Sequence, residues 1–160
     1  MTTTIRPVKT GDRAALEEAL RSDETFLDGE ISVALELVDE AIGGSDDYEI
    51  LVAELGEGSD GRVAGYICFG PTPMTEGSYD LYWVVTHVRD RGRGVAGKLI
   101  RAMEDELRDR GGRAVRVETS QLDGYEAARR LYAGKGYAEC GRLPDFYRSG
   151  DALIIYYKQL

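Results

Sequence analysis

The apolar positions of this 160-residue chain change period from one segment to the next, and the changes divide it into elements. "TTIRPV", residues 3–8, reads as a short strand. In "GDRAALEEALRS" Ala15, Leu16, Ala19 and Leu20 share one helical face. A second helix carries Ile31, Leu35, Val38 and Ile42 and stops at Gly43-Gly44. "YEILVAEL" and "GRVAGYICFG" are apolar and partly β-branched, and the "GEGSDG" between them signals a hairpin. "SYDLYWVVTHV" predicts a third strong strand. The next helix has the stripe Ala96, Leu99 or Ile100, Met103 and Leu107, and Gly111-Gly112 ends it. "AVRVETS" is again a strand. Asp123 with Glu126 reads as a capping box for a helix through Ala127, Ala128, Leu131 and Tyr132, closed by Gly134 and Gly136. Two last strands, "YAECGRL" and "ALIIYYKQL", are joined by "PDFYRSGD", whose proline, glycine and aspartates suit a turn. The predicted order is βααβββαβαββ, an α/β (α+β) mixture around one sheet. No linker, repeat or low-complexity run interrupts it, so residues 1–160 read as a single domain.

Composition narrows the classes. Twenty Lys and Arg against 29 Asp and Glu give a net charge of −9, which argues against a nucleic-acid or anionic-membrane surface. No apolar run approaches the roughly 20 residues of a membrane span. The polar start "MTTTIRPVKTGD" has no signal-peptide core, so the expected location is cytoplasmic. Cys68 and Cys140 with one histidine cannot fill a four-ligand zinc site without carboxylates, so no metal is expected and both thiols read as buried and reduced.

Against that acidic background, "RDRGRGVAGKLI", residues 89–100, stands out. Arg89, Arg91, Arg93 and Lys98 surround Gly92, Gly94 and Gly97 where a strand passes into a helix. The first N–H groups of a helix lack internal partners and carry the positive end of its dipole. Glycines let an anion approach that backbone without Cβ contacts. In a net-negative chain such a local reversal points to a small polyanion. "GRGVAG" matches the letters of the dinucleotide fingerprint, but it follows the fourth predicted strand, not the first. Two arginine-glycine pairs are too few for an RNA-binding element.

"VVTHVRDRGRGVAGKLI" resembles the coenzyme-A-binding motif of the GCN5-related N-acetyltransferases (GNAT), R/Q-x-x-G-x-G/A, with Arg91, Gly94 and Ala96 at its fixed positions. "YEAARRLYAGKGY" is similar to the family's fourth helix, with a tyrosine and a terminal glycine-aromatic pair, here Gly136-Tyr137. The likeness spans residues 4–160. It implies the GNAT fold, a mixed, mostly antiparallel sheet of about seven strands flanked by about four helices. It also implies acetyl-CoA as co-substrate. The pantetheine arm would pair with backbone near Val84, Val85 and Thr86, and the diphosphate would rest on the N–H groups of Arg91, Gly92, Arg93, Gly94, Val95, Ala96 and Gly97.

Acetyl transfer to an amine requires that the amine lose a proton, that the oxyanion be stabilised and that the departing thiolate receive a hydrogen bond or a proton. By resemblance Tyr132 faces the sulfur, and a phenol of pKa about 10 serves a thiolate of about 8.5 better as a hydrogen-bond donor than by full proton transfer. Asp80 stands where lysine acetyltransferases of the family carry a glutamate, and strand alternation sets it on one face with Tyr82 and Val84. Glu118 is a second candidate base, and a water chain with no single base is a third arrangement. His87 lies beyond the pantetheine segment and reads as a solvated loop residue.

The acceptor pocket, by family habit, forms from the first two helices and the last hairpin. Asp23, Glu24, Asp28, Glu30 and Asp145 there would attract a cationic amine, between walls from Phe26, Phe146 and Tyr147. The expected function is N-acetylation of a small-molecule, amino-acid-derived or peptide amine. The other reading is a non-catalytic acyl-CoA-binding module. Family habit allows a homodimer that no residue of the sequence establishes.

Overall fold

The computed structural model describes residues 1–160. The elements are β1 (Thr3–Pro7), α1 (Arg13–Arg21), α2 (Asp28–Ile42), β2 (Glu49–Leu55), β3 (Arg62–Pro71), β4 (Ser78–Thr86), α3 (Val95–Asp109), β5 (Ala114–Ser120), α4 (Glu126–Gly134), β6 (Ala138–Arg148) and β7 (Asp151–Gln159). That is the order predicted from periodicity. They make one seven-stranded sheet, β1-β2-β3-β4-β5-β7-β6, antiparallel except where β4 meets β5. No helix is long and apolar enough to cross a membrane.

The sheet is covered on both faces, which explains why its central strands read as continuous apolar runs. On β2, Leu51, Ala53 and Leu55 pack on one side with Leu99, Ile100, Met103 and Leu107 of α3, while Ile50 and Val52 face Leu16, Leu20, Ile31 and Val38 of α1 and α2. α3 stops as its glycines predict: Gly111 takes φ 77° and the Gly112 N–H reaches back to the Leu107 carbonyl at 2.7 Å.

Two features create the cleft. Cys68 pairs with Trp83 but Phe69 with Leu81, so β4 carries a bulge at Tyr82. The extra residue shifts the phase of the strand: Tyr82, Trp83 and Val85 turn toward α1 and α2, and Val84 toward α3. Asp80 and Val84 therefore do not share a face, contrary to simple alternation. Second, β4 pairs with β5 only from Ser78–Ala114 to Leu81–Val117, while β5 stays paired to β7 as far as Ser120. Beyond Leu81 the two parallel strands part.

Three local expectations give way to tertiary contacts. Asp123 and Glu126 form no capping box; a 3-10 turn occupies Asp123–Tyr125 and α4 starts at Glu126 without a side-chain cap. Tyr125 is held across the cleft instead, its hydroxyl donating to Glu30 at 2.9 Å. "PDFYRSGD" is largely strand rather than loop. β6 runs irregularly to Arg148 and turns at Gly150, with Asp145 at φ 55° accepting the Gly150 N–H at 2.7 Å. Cys68 is buried, which pushes its thiol up to about 12, but Cys140 is exposed on β6 rather than buried.

Candidate active site

The glycine-arginine stretch is a cradle of backbone donors. A 3-10 turn at Val88–Asp90 follows β4, Gly92 and Gly94 adopt φ 76° and 75°, and Gly94 caps α3. That left-handed backbone is why glycine stands at both positions. The first helical bond runs from the Lys98 N–H to the Gly94 carbonyl, and no N–H from Gly92 to Gly97 has a partner within the chain. Six consecutive donors at the positive end of a 15-residue helix are suited to a diphosphate.

The side chains here are sorted by charge. Asp90, the one acid of the stretch, is fully buried and paired with Arg62, Arg89 and Arg93, so it does not oppose an anion at the cradle. Arg91 pairs with Asp23 in the α1–α2 connection. Burial raises the Asp23 carboxyl, but Thr25 and Arg91 outweigh it and hold Asp23 below its ordinary value. Lys135 is a residue that sequence reasoning missed. Its Nζ lies 3.0 Å from where a Gly97 Cβ would stand, and it has no ion-pair or hydrogen-bond partner. Its only signal in the sequence is its place just before Gly136-Tyr137.

A cleft of about 500 Å³ opens where β4 and β5 part. Val84 and Val85 line it from β4, Glu118 and Ser120 from β5, Tyr125, Ala128 and Tyr132 from the α4 segment, Phe26 and Glu30 from α2 and its approach, and Tyr147, Arg148 and Asp151 from the last hairpin. Thr86 ends β4 without lining the cleft.

Tyr132 is 5% exposed and tilts against Tyr137 and Tyr156. Its hydroxyl bonds to nothing in the chain but keeps contact with solvent, unlike Tyr66 Oη and Trp83 Nε1, which are sealed without a partner. Burial pushes its phenol above the ordinary value, so it stays a neutral donor.

The two candidate carboxylates are placed differently. Glu118 lines the cleft without a hydrogen-bond or ion-pair partner. Asp80 is buried outside the lining, accepting from Thr72 Oγ1 and Arg116 Nε at 2.8 Å each. That bond raises Arg116 above its ordinary value against the opposing effect of burial. Asp80 also helps to hold the Tyr82 phenol up at about 12, after burial itself. His87 is not a solvated loop residue. Its Nδ1 accepts the Arg89 N–H and its Nε2 meets Glu18 at 3.2 Å, which makes it a cap for the 3-10 turn.

Of the acidic and aromatic residues expected around the acceptor, Phe26, Glu30 and Tyr147 reach the cleft. Asp23 is tied to Arg91 and Asp145 to the hairpin turn, while Glu24 and Asp28 lie outside. Phe146 is 56% exposed, does not line the cleft and stands edge-on to Tyr147, ring centroids 5.3 Å apart. The sequence did not single out Trp83, which stacks on Phe26, nor Ser120, Arg148 and Asp151.

The comparisons with known proteins agree with this geometry. The profile of the acetyltransferase (GNAT) family matches residues 13–137. A crystal structure from Desulfovibrio desulfuricans, described as a GNAT-family acetyltransferase, is 35% identical over 99% of both chains with a TM-score of 0.90. The ribosomal-protein-S18-alanine N-acetyltransferase of Escherichia coli has the same fold at 18% identity and TM-score 0.77, over 99% of this chain and 94% of that one. An aminoglycoside 6'-N-acetyltransferase complexed with coenzyme A does so at 18% and 0.73, over 98% and 96%. No curated protein matches the sequence. With 35% identity over nearly its whole length and a family match over most of it, this chain belongs to the GNAT family and is an N-acetyltransferase.

Proposed function

We propose that the protein transfers acetyl from acetyl-CoA to a primary amine of a small molecule, amino-acid derivative or peptide, by direct attack on the thioester. The observation that carries this reading is the unpartnered hydroxyl of nearly buried Tyr132 inside the cleft between β4 and β5. That hydroxyl reaches solvent and makes no hydrogen bond inside the chain, so it is free to donate to a group that enters the cleft.

Acetyl-CoA, when bound, supplies an activated acetyl thioester. The free N–H groups of Gly92–Gly97, with Arg91, Arg93 and Lys135 nearby, hold its diphosphate. Unpaired backbone of β4 beyond Leu81, around Val84 and Val85, receives the pantetheine amides. Glu118 accepts the proton of the incoming amine, directly or through water. Tyr132 donates a hydrogen bond where negative charge grows on sulfur. Asp80 and Arg116 brace the β4–β5 seam, outside the proton path. This reading makes the protein a cytoplasmic enzyme acting without nucleic acid, membrane or metal.

The test is a calorimetric titration with acetyl-CoA followed by thiol-release assays against a panel of primary amines. Binding together with amine-dependent thiol release is expected. No binding at millimolar acetyl-CoA, or binding with no release for any amine, overturns the reading.

A further inference from the structure

The charges of the cleft say more about the acceptor, given the acetyl-transfer reading on which this inference rests. Four charged residues line the cavity: Glu30, Glu118, Asp151 and Arg148. Arg148 is spent, because its Nη1 lies 2.6 Å from Asp151 Oδ2. Asp151 is 1% exposed and its other oxygen takes the Ser120 hydroxyl. Glu30 has only neutral partners, the Tyr125 hydroxyl at 2.9 Å and the Leu27 N–H at 3.4 Å. Glu118 has no hydrogen-bond or ion-pair partner, and Arg116 two residues before it, though near enough to attract it, is paired with Asp80. Two carboxylates without an ion-pair partner therefore face one cavity.

The three carboxylates lie around a single ring. The Tyr147 phenol is raised by burial first, and then by Glu118, Asp151 and Glu30 together. Between the charges the walls are aromatic, from Phe26 stacked on Trp83 at 6.3 Å to Tyr82, Tyr125 and Tyr147. Independently of the acids, the unpartnered hydroxyl of Tyr132, on a side chain more than nine-tenths buried, marks the end of the cleft where a reacting group sits.

We propose that the acceptor is a dication: a reacting amine beside Glu118 and Tyr132, and a second ammonium, separated by an apolar stem, held by Glu30. Aromatic walls suit such a stem and its charged end. A carboxylate-bearing acceptor finds no free cation, since the only one lining the cleft is neutralised by Asp151. In the transfer, the amine nitrogen bonds to the thioester carbonyl carbon and the carbon–sulfur bond breaks. The reacting ammonium first gives one proton to Glu118 and on to water; after attack the electron pair leaves with sulfur, and the second nitrogen proton goes to the thiolate or to water, so that free thiol, amide and one released proton result. The product keeps one charge and loses its hold on Glu30, so a second acetylation is slowed by the same factor that separates diamines from monoamines.

The experiment measures thiol release from acetyl-CoA with straight-chain diamines of three to six carbons, monoamines of the same lengths and ω-amino acids of the same lengths. Diamines should exceed monoamines by about tenfold or more in kcat/KM, the worth of about 1.4 kcal/mol. Mass spectrometry should show the monoacetyl product accumulating ahead of the diacetyl one. Glu30→Gln, which keeps an oxygen for Tyr125 and Leu27, should bring the diamine-to-monoamine ratio toward one, chiefly through KM. Monoamines matching diamines, or ω-amino acids winning, overturns the dication while leaving acetyl transfer in place. No thiol release above the amine-free rate with any of these amines overturns the transfer reading itself. The comparison of acceptors decides the matter on the parent protein alone if the variant fails to fold.

Discussion

The cradle at Gly92–Gly97 is made of six consecutive residues and works through backbone N–H groups, whereas the acceptor end assembles side chains from α2, β4, β5, the α4 segment and the β6–β7 hairpin. The first needs only a turn that glycine permits and a helix that follows it. The second exists only once β4 and β5 have parted and five segments converge. A backbone site offers the same groups whatever the side chains are, so it fits a constant partner such as a diphosphate. A side-chain site is where one chain can differ from its relatives.

The largest effect expected is on the cradle. Gly94→Glu places a carboxylate among the donors and forces a φ of 75°, and acetyl-CoA affinity should fall at least about 100-fold by calorimetry. Gly94→Ala, which brings only the backbone strain into open space, should cost about tenfold or less. Equal losses would mean that conformation, not anion repulsion, governs the cradle.

Next comes Tyr132→Phe. A hydrogen bond to a charged group is worth about 2 kcal/mol, so kcat should drop about 30-fold while acetyl-CoA affinity changes less than about twofold. The melting temperature should hold, because the hydroxyl has no partner to lose and the ring keeps its contacts with Tyr137 and Tyr156. An unchanged kcat would remove Tyr132 from the chemistry.

Glu118→Gln should lower kcat about tenfold, a modest loss for a base that water replaces in part. Asp80→Asn should act on stability instead, by about 1 kcal/mol through its half-exposed partner Arg116. A larger turnover loss at Asp80 than at Glu118 would reverse the assignment.

The smallest effect near neutrality becomes visible in alkali. Tyr82, Tyr125 and Tyr132 line the cleft, and burial is the first cause of the rise in each. A phenol raised in the folded state favours folding fully below its unfolded value of about 10. Above that the unfolded chain ionises first, and stability falls by up to about 1.4 kcal/mol per pH unit for each phenol. Urea unfolding between pH 8 and 11 should therefore weaken gently from about pH 8.5, where the Cys68 thiol of the unfolded chain ionises, and more steeply beyond about pH 10. The cradle carries no such group, so a stability that stays flat beyond pH 10 would show that the phenols are not buried as described.

The element order and the cradle were legible because each rests on short-range physics: the period of apolar positions, glycines where φ turns positive, and orphan N–H groups at a helix start. Boundaries failed where distant contacts intervened. Tyr125 is drawn to Glu30 in place of a capping box, and the turn at "PDFYRSGD" is absorbed into β6 as Tyr147 meets the cleft. The choice between Asp80 and Glu118 was not legible at all. Two carboxylates on neighbouring parallel strands look alike in sequence, and only register sets Asp80 opposite Arg116.

By itself, then, the sequence determined the seven strands and four helices, the glycine turn that leaves helix N–H groups free before α3, and the helix that carries Tyr132, each encoded within a dozen or so consecutive residues. Tertiary structure alone decided which carboxylate stays unpaired, that Arg148 is neutralised by Asp151, and that Trp83 joins Phe26 in the cleft wall. The reason is a one-residue bulge and a strand pair that separates after four residues. Both re-aim side chains by pairing across the sheet, and pairing between segments far apart in the chain leaves no local pattern to read.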